Sequence, residues 1–210
     1  MSDTGTKRTV WVLMAGIGLL LAGFVLHKLN PPPLSDIQLR QMGLYLFQNP
    51  RALPEYELLN EEGDAFTPES FEGQWDLVFF GFTFCPDVCP TTMATLKQAY
   101  DALPEADRES VRVVLVTVDP ARDTVPVMKS YVEHFDTTFA GVTGEFLDVH
   151  RLATGLSIPF AKVPGGGDNY QVDHSANIAV INPRGHYVGF FKSPHDPRRI
   201  TQLTQALLQR

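Results

Sequence analysis

Residues 77–90 read LVFFGFTFCPDVCP, an apolar run that ends in two cysteines four positions apart. Leu77 to Phe82 is continuously apolar and built from strand formers, which predicts a central strand buried on both faces. Cys85 and Cys89 follow at once. Pro90 then stands near the start of a helical pattern that places Met93, Leu96 and Tyr100 on one face. The cysteines therefore fall in a strand-to-helix turn. Residues i and i+4 share one face of a helical turn, so their side chains can meet.

Working outward, Val111 to Val118 (VRVVLVTV) reads as a second buried strand, closed by Asp119-Pro120. Before the cysteines, Glu55 to Leu59, Asn60 to Asp64 and Ala65 to Phe66 read as strand, turn and strand. After them, Pro126 to Phe135 and Glu145 to Leu156 are helical. Ala176 to Ile181 and His186 to Phe191 flank the turn Asn182-Pro183-Arg184-Gly185 as a hairpin, and Pro197 to Leu208 closes with a helix. Apolar strands alternating with helices predict a layered α/β domain with parallel central strands. A βαβ core followed by a terminal β-hairpin and a helix is the thioredoxin-like arrangement. Gly165-Gly166-Gly167 does not sit between a strand and a helix and has no Lys-Ser/Thr after it, so it is a flexible excursion and no phosphate loop.

Of the 210 residues, 44% are hydrophobic and 20% charged, the balance of a globular domain. The net charge of −7 argues against a nucleic-acid partner, which needs a basic surface. The clusters Lys7-Arg8 and Arg198-Arg199 are short and read as local features, one beside an apolar span and one on a helix.

Val10 to Leu26 carries no charge and reaches the short end of the roughly 17–25 residues that cross a bilayer. Lys7 and Arg8 precede it, which predicts a cytoplasmic amino end and an exported remainder, although Lys28 on the far side weakens that bias. No A-x-A cleavage pattern follows, and Phe24 stands where a lipidated cysteine would be after Leu21-Ala22-Gly23, so an uncleaved anchor is expected. The expected organisation is a short cytoplasmic N-terminus (1–9), a transmembrane anchor (10–29), a linker and lead-in containing Pro31-Pro32-Pro33 (30–52) and a folded domain (53–210). Scattered apolar residues from Ile37 to Phe47 could pack on that domain.

The two cysteines are the chain's whole complement. A disulfide between them would close a tiny loop, and the stability gained from loop closure falls with loop length. Three readings stand: a structural disulfide, a disulfide oxidoreductase with one residue more than the usual C-x-x-C spacing, and a metal site. A helix N-terminus favours thiolates, the form that binds soft metals and attacks disulfides, while Asp87 opposes this by charge and could cap the helix. Two thiolates make a soft site suited to copper(I), whereas zinc usually takes four ligands. A third ligand would come from the histidines at 27, 134, 150, 174, 186 and 195. His174, in Val172-Asp173-His174-Ser175 just before an apolar strand, is the one whose loop could return to the cysteine turn. The other reading is an ordinary loop histidine. Asp119-Pro120-Ala121-Arg122-Asp123-Thr124 reads as a turn with a helix cap, Asp123 or Thr124 preceding Val125-Pro126. The alternative is that Arg122 and Asp123 support the site or orient a partner.

Three segments in register resemble the Sco/SenC family of copper chaperones, which includes PrrC-type proteins. They are Phe80 to Thr92 (FGFTFCPDVCPTT), Val118 to Thr124 (VDPARDT) and Val172 to Ser175 (VDHS). The resemblance covers roughly residues 53 to 205. It implies a thioredoxin-like domain on a single anchor, facing the periplasm or the mitochondrial intermembrane space. It implies copper, as Cu(I) or Cu(II), held by Cys85, Cys89 and His174, with Cys85 and Cys89 also a redox pair. The implied partner is the CuA centre of cytochrome c oxidase subunit II or another copper-site protein, with another periplasmic copper chaperone as a donor. The alternative activity is thiol–disulfide reduction of such sites; a peroxidase and a redox sensor are further readings. The absence of an Arg/Ser-rich presequence favours a bacterial inner membrane. Phe84 departs from the family, which often has a polar residue there.

Overall fold

A computed structural model of the chain describes residues 3–29, 33–165 and 167–210. The chain divides into two compact units, one ending at Leu34 and one running from Ser35 to Arg210. In the first, α1 (Asp3–Leu29) contains the stretch Lys7–Val25, whose mean hydropathy is 1.8 and which buries nothing within the fold. By length and composition it can cross a membrane. Of the expected triple-proline linker, Pro31 and Pro32 lie outside the described residues, as does Gly166 of the glycine run.

The second unit begins earlier than expected. Residues assigned from the sequence to a lead-in form α2 (Asp36–Met42) and β1 (Leu44–Ala52). A capping box starts α2: the Ser35 hydroxyl accepts from the Gln38 amide, and the Gln38 side chain accepts from the Ser35 amide at 2.9 Å. Gly43 ends it at φ 104°, a left-handed conformation that glycine adopts without strain. The Ser-x-x-Gln spacing was the signal that betrays this helix.

The chain continues through β2 (Leu58–Leu59), β3 (Ala65–Phe66), β4 (Trp75–Gly81), α3 (Val88–Asp101), α4 (Glu105–Arg108), β5 (Val111–Thr117), α5 (Val125–Phe135), β6 (Ala140–Gly144) and α6 (Phe146–Gly155). It ends with β7 (Phe160–Lys162), β8 (Val172–His174), β9 (Ile178–Ile181), β10 (His186–Phe191) and α7 (Pro197–Leu208). Among the described residues one sheet has the order β1-β10-β9-β4-β5-β6-β2-β3, and β7 and β8 pair separately. The β4–β5 and β5–β6 pairs are parallel, and β9 runs antiparallel to β4. This is the expected thioredoxin-like βαβ core with its terminal hairpin and helix. The strand β6 was not anticipated. Its sequence, Ala-Gly-Val-Thr-Gly, is too poor in large apolar residues to signal a strand on its own.

Successive strand residues point to opposite faces, yet nearly every residue of β4 and β5 is buried, so both faces of the central pair are covered. Burying side chains such as Phe79 and Phe80 contributes about 1.5–3 kcal/mol each. On β10, a Cβ at Gly189 would lie 2.2 Å from the Tyr45 carbonyl oxygen, so only glycine lets β1 approach there. α7 starts at Asp196, whose carboxylate accepts from the Arg199 amide at 3.0 Å.

One ion pair sits inside the sheet at the end of β4 opposite the cysteines. Asp76 is fully buried, and Arg112 Nε donates to its Oδ1 at 2.6 Å while Arg112 Nη2 donates to the Ser70 carbonyl at 2.7 Å. Burial outweighs the Arg112 contact and pushes the Asp76 carboxyl up to about 7. A folded-state value above the unfolded one means the folded state holds the proton longer. The stabilisation it brings is complete below about pH 4 and is lost as pH rises through 7. Asp76→Asn is therefore expected to flatten the stability profile between pH 4 and 7 in urea unfolding, and an unchanged profile would contradict this.

Candidate metal centre

β4 and β5 are parallel and in register from Trp75↔Val111 to Gly81↔Thr117, so they end at one edge of the sheet. The cysteine turn leaves β4 at that edge and the Asp119-Pro120 turn leaves β5 there. The Cys85 amide donates to the Phe82 carbonyl at 3.2 Å, which tightens the turn before α3. Asp87 occupies the N-cap position but its side chain caps no amide. The cap is instead made by sulfur: the Cys89 amide, an orphan donor of the first helical turn, donates to Cys85 Sγ at 3.4 Å. Pro90 falls in that first turn, where its missing N–H costs nothing.

Both cysteines are free thiols. Cys89 is fully buried, and Cys85 is 9% exposed. Room for Cys89 comes from Gly81, where a methyl group would lie 3.1 Å from Cys89 Sγ and 3.0 Å from the Phe79 ring. The expectation that the helix N-terminus favours a thiolate fails at Cys89. Burial pushes its thiol well up, and the contact with Cys85 adds to this, so Cys89 carries its proton at neutral pH.

His174 closes the group. It stands at the end of β8, not in a loop, and its Nε2 lies 3.4 Å from Cys89 Sγ. Its Nδ1 lies 3.1 Å from the Ser175 carbonyl, a contact that assigns the N–H to Nδ1 and leaves the Nε2 lone pair to accept from the Cys89 thiol. Burial holds the imidazole below its ordinary pKa, which favours the neutral form that can bind a metal. The rings of Phe79 and Phe82 lie edge-on to it at 5.8 and 6.0 Å. The two sulfurs and the imidazole nitrogen all lie within 4.8 Å of one another. A single ion with bonds of roughly 2.0–2.3 Å can draw such a set together with small side-chain adjustments. A cavity of about 380 Å³, lined by Phe82, Cys85, Pro86, Val88, Asp173 and His174 among others, opens the group to solvent. Phe84 is 53% exposed and lies under Arg122, 4.7 Å from its guanidinium carbon.

The aspartate-proline segment supports this group, a role that the turn-and-cap reading missed. Thr124 is the N-cap of α5 but caps no amide with its side chain, and the Asp123 carboxylate turns inward. Fully buried, Asp123 accepts from the Thr83 amide at 3.0 Å, the Thr83 hydroxyl at 2.5 Å and the Thr117 hydroxyl at 2.7 Å. It thus ties the start of the cysteine turn to the end of β5. Asp123→Ala would strand the half-buried Thr83 amide and hydroxyl and the buried Thr117 hydroxyl, at a cost of about 2 kcal/mol. Urea unfolding should show that loss, and a change below about 0.5 kcal/mol would contradict the bridging role.

The SCO1/SenC family model matches residues 47–209. A protein of Stutzerimonas stutzeri is 37% identical over 156 residues, 74% of this chain and 76% of that one. The solution structure of apo Sco1 from Thermus thermophilus shares 35% identity and superposes with a TM-score of 0.68, covering 77% of this chain and 94% of that one. Copper-bound ScoI from Bradyrhizobium japonicum shares 30% identity, with a TM-score of 0.67 over 73% of this chain and 98% of that one. With its cysteine pair, histidine and fold all in place, the chain belongs to the SCO1/SenC family.

Proposed function

We propose that this protein is a copper chaperone that takes copper as cargo on Cys85, Cys89 and His174 and serves assembly of the CuA centre of cytochrome c oxidase. The observation that carries this reading is the convergence of two thiols and a neutral imidazole within 4.8 Å at one sheet edge. Soft sulfur donors select copper(I), and a neutral nitrogen makes a three-coordinate set that can also hold copper(II). Family membership and a relative solved with copper bound support the same cargo. The hydropathy of Lys7–Val25, with Lys7 and Arg8 at its amino end, supports a single anchor in a bacterial inner membrane with the folded unit in the periplasm. Subunit II of the oxidase, or another copper-site protein, would be the acceptor, and another periplasmic copper chaperone the donor.

Copper binding and thiol redox chemistry are linked at this pair. Metal binding must displace the Cys89 proton, and oxidation to a Cys85–Cys89 disulfide would withdraw both sulfur ligands. The second reading, thiol–disulfide reduction of a partner's copper-site cysteines, is favoured by the unequal burial of the two sulfurs. Cys85, nearer the surface, would attack a partner disulfide sulfur, and Cys89 would resolve the mixed disulfide. The balance is one partner disulfide reduced to two thiols and one Cys85–Cys89 disulfide formed.

Chelator competition should show equimolar copper(I) binding in the wild type, abolished in Cys85→Ser and in Cys89→Ser. His174→Ala should weaken copper(II) binding by more than the about 10–100-fold that loss of an outer support costs, and should change its absorption spectrum. Unchanged affinity and spectrum in His174→Ala would refute the three-residue site. A pure reductase would keep turnover with a dithiol donor in His174→Ala. Copper(I) loading at pH 7 should also release protons, the Cys89 proton among them, so apparent affinity should rise with pH. Loading without proton release would contradict the protonated thiol.

A further inference from the structure

His174 is carried by a piece of structure that the main sheet does not hold. The strands β7 and β8 pair only with each other, Phe160 opposite His174 and Lys162 opposite Val172. Besides the contacts of His174 itself with Phe79, Phe82 and Cys89, two ties between this hairpin and the rest of the folded unit stand out among the described residues. One is apolar: Phe160 packs edge-on against Phe146 and His150 of α6. The other is polar and centres on Arg122. Its Nε donates to the Asp119 carboxylate and its Nη2 donates to the Tyr170 carbonyl at 3.0 Å. Its guanidinium carbon lies 3.7 Å from the centre of the Tyr170 ring and 4.7 Å from that of Phe84. Tyr170 returns the contact, donating its hydroxyl to Asp119 at 2.6 Å.

The position of this clamp matters. Tyr170 lies just before β8 and Phe84 just before Cys85. The Asp119 amide is fixed to the end of β5 by donating to the Thr117 hydroxyl at 2.9 Å, and the Thr117 hydroxyl in turn donates to the Asp123 carboxylate. A single side chain, 15% exposed, therefore touches the segment that carries the histidine, the turn that carries the cysteines and the strand end between them. Only a planar guanidinium can donate in two directions and stack on aromatic faces at once.

We propose that Arg122 is a positioning residue for the copper site, holding the hairpin so that His174 stays within reach of the cysteine sulfurs; this rests on the three-residue site proposed above. Lysine at 122 keeps the charge opposite Asp119 but cannot also hold the Tyr170 carbonyl and both rings. The hairpin then keeps its apolar tie and its fold but loses its fixed distance from the cysteines. The cargo is left with two sulfurs and a histidine that is present only part of the time.

The test uses the full-length chain in detergent micelles, as wild type, Arg122→Lys, Asp119→Asn, His174→Ala and the Arg122→Lys/His174→Ala pair. In the copper-free proteins, ¹⁵N spectra of the His174 ring and amide exchange of Val172–His174 report the hairpin directly. Arg122→Lys should shift or broaden the ring signals and speed that exchange while β4 and β5 stay protected, with the same changes, smaller, in Asp119→Asn. With copper(II), Arg122→Lys should lose affinity about 10–100-fold, as loss of an outer support does, and lose nitrogen hyperfine structure. It should bind copper(I) with a smaller loss. The double variant should be no worse than His174→Ala, because both changes remove one ligand. Wild-type ring signals and exchange in both Arg122→Lys and Asp119→Asn would overturn the proposal, as would additive losses in the double variant. If His174→Ala binds copper as the wild type does, the three-residue reading has failed, and the copper-free spectra still decide for or against Arg122 as the support of His174.

Discussion

The parallel pairing of β4 with β5 is the constraint on which the site depends. Because Gly81 lies opposite Thr117, both strands release their chains at one edge, and the turns that follow have to share the same small volume. Two buried groups make that sharing stable. Asp123 accepts three hydrogen bonds across the gap between the turns, and Gly81 leaves space that the Cys89 sulfur fills. Neither is decoration: a buried carboxylate without donors, or a methyl group against the sulfur, would raise the free energy of the arrangement that brings the two cysteines and His174 together.

The environment of the two sulfurs is unequal, and the inequality suits a protein that carries copper without keeping it. Cys85 sits at the surface end of the cavity and takes the first-turn amide of α3. Cys89 lies in the core, protonated and bonded towards a neutral imidazole. On the proposed three-residue site copper would have to replace that inner proton, which would couple loading and release to protons. Closure of the same pair as a disulfide is what the second proposed reading, thiol reduction, would require of this geometry.

Much of the fold was legible in the sequence because it is written in local patterns. The continuous apolar runs of β4 and β5 announced strands covered on both faces, and the proline and apolar spacing of α3 announced a helix straight after the cysteines. Where the local signal was weak, the reading stopped short. β6 has almost no large side chains and becomes a strand because it pairs with β5 and β2, a long-range cause that no window of sequence carries. Residues 44–52 alternate poorly and are largely exposed, so β1 announces itself only through its pairing with β10. The site divided in the same way. Asp123 looked like a helix cap because it precedes a proline-started helix, yet burial turned its carboxylate the other way, towards Thr83 and Thr117.

The sequence by itself determined that the two cysteines would stand between a buried strand and a helix, because apolar runs and helical periodicity are local patterns; the shared helical face did not follow, since α3 starts at Val88 and Cys85 lies in the turn before it. It also determined the apolar span near the amino end, which is a matter of composition. Through the motifs it shares with a family, it pointed to His174 as well. Only the tertiary structure decided the distance: His174 and Cys89 are 85 positions apart, and they approach to 3.4 Å through a separately paired hairpin whose histidine packs against the Phe79 and Phe82 rings. Contacts of that span are fixed by packing and hydrogen bonds distributed over the whole domain, and no local stretch of the chain contains them.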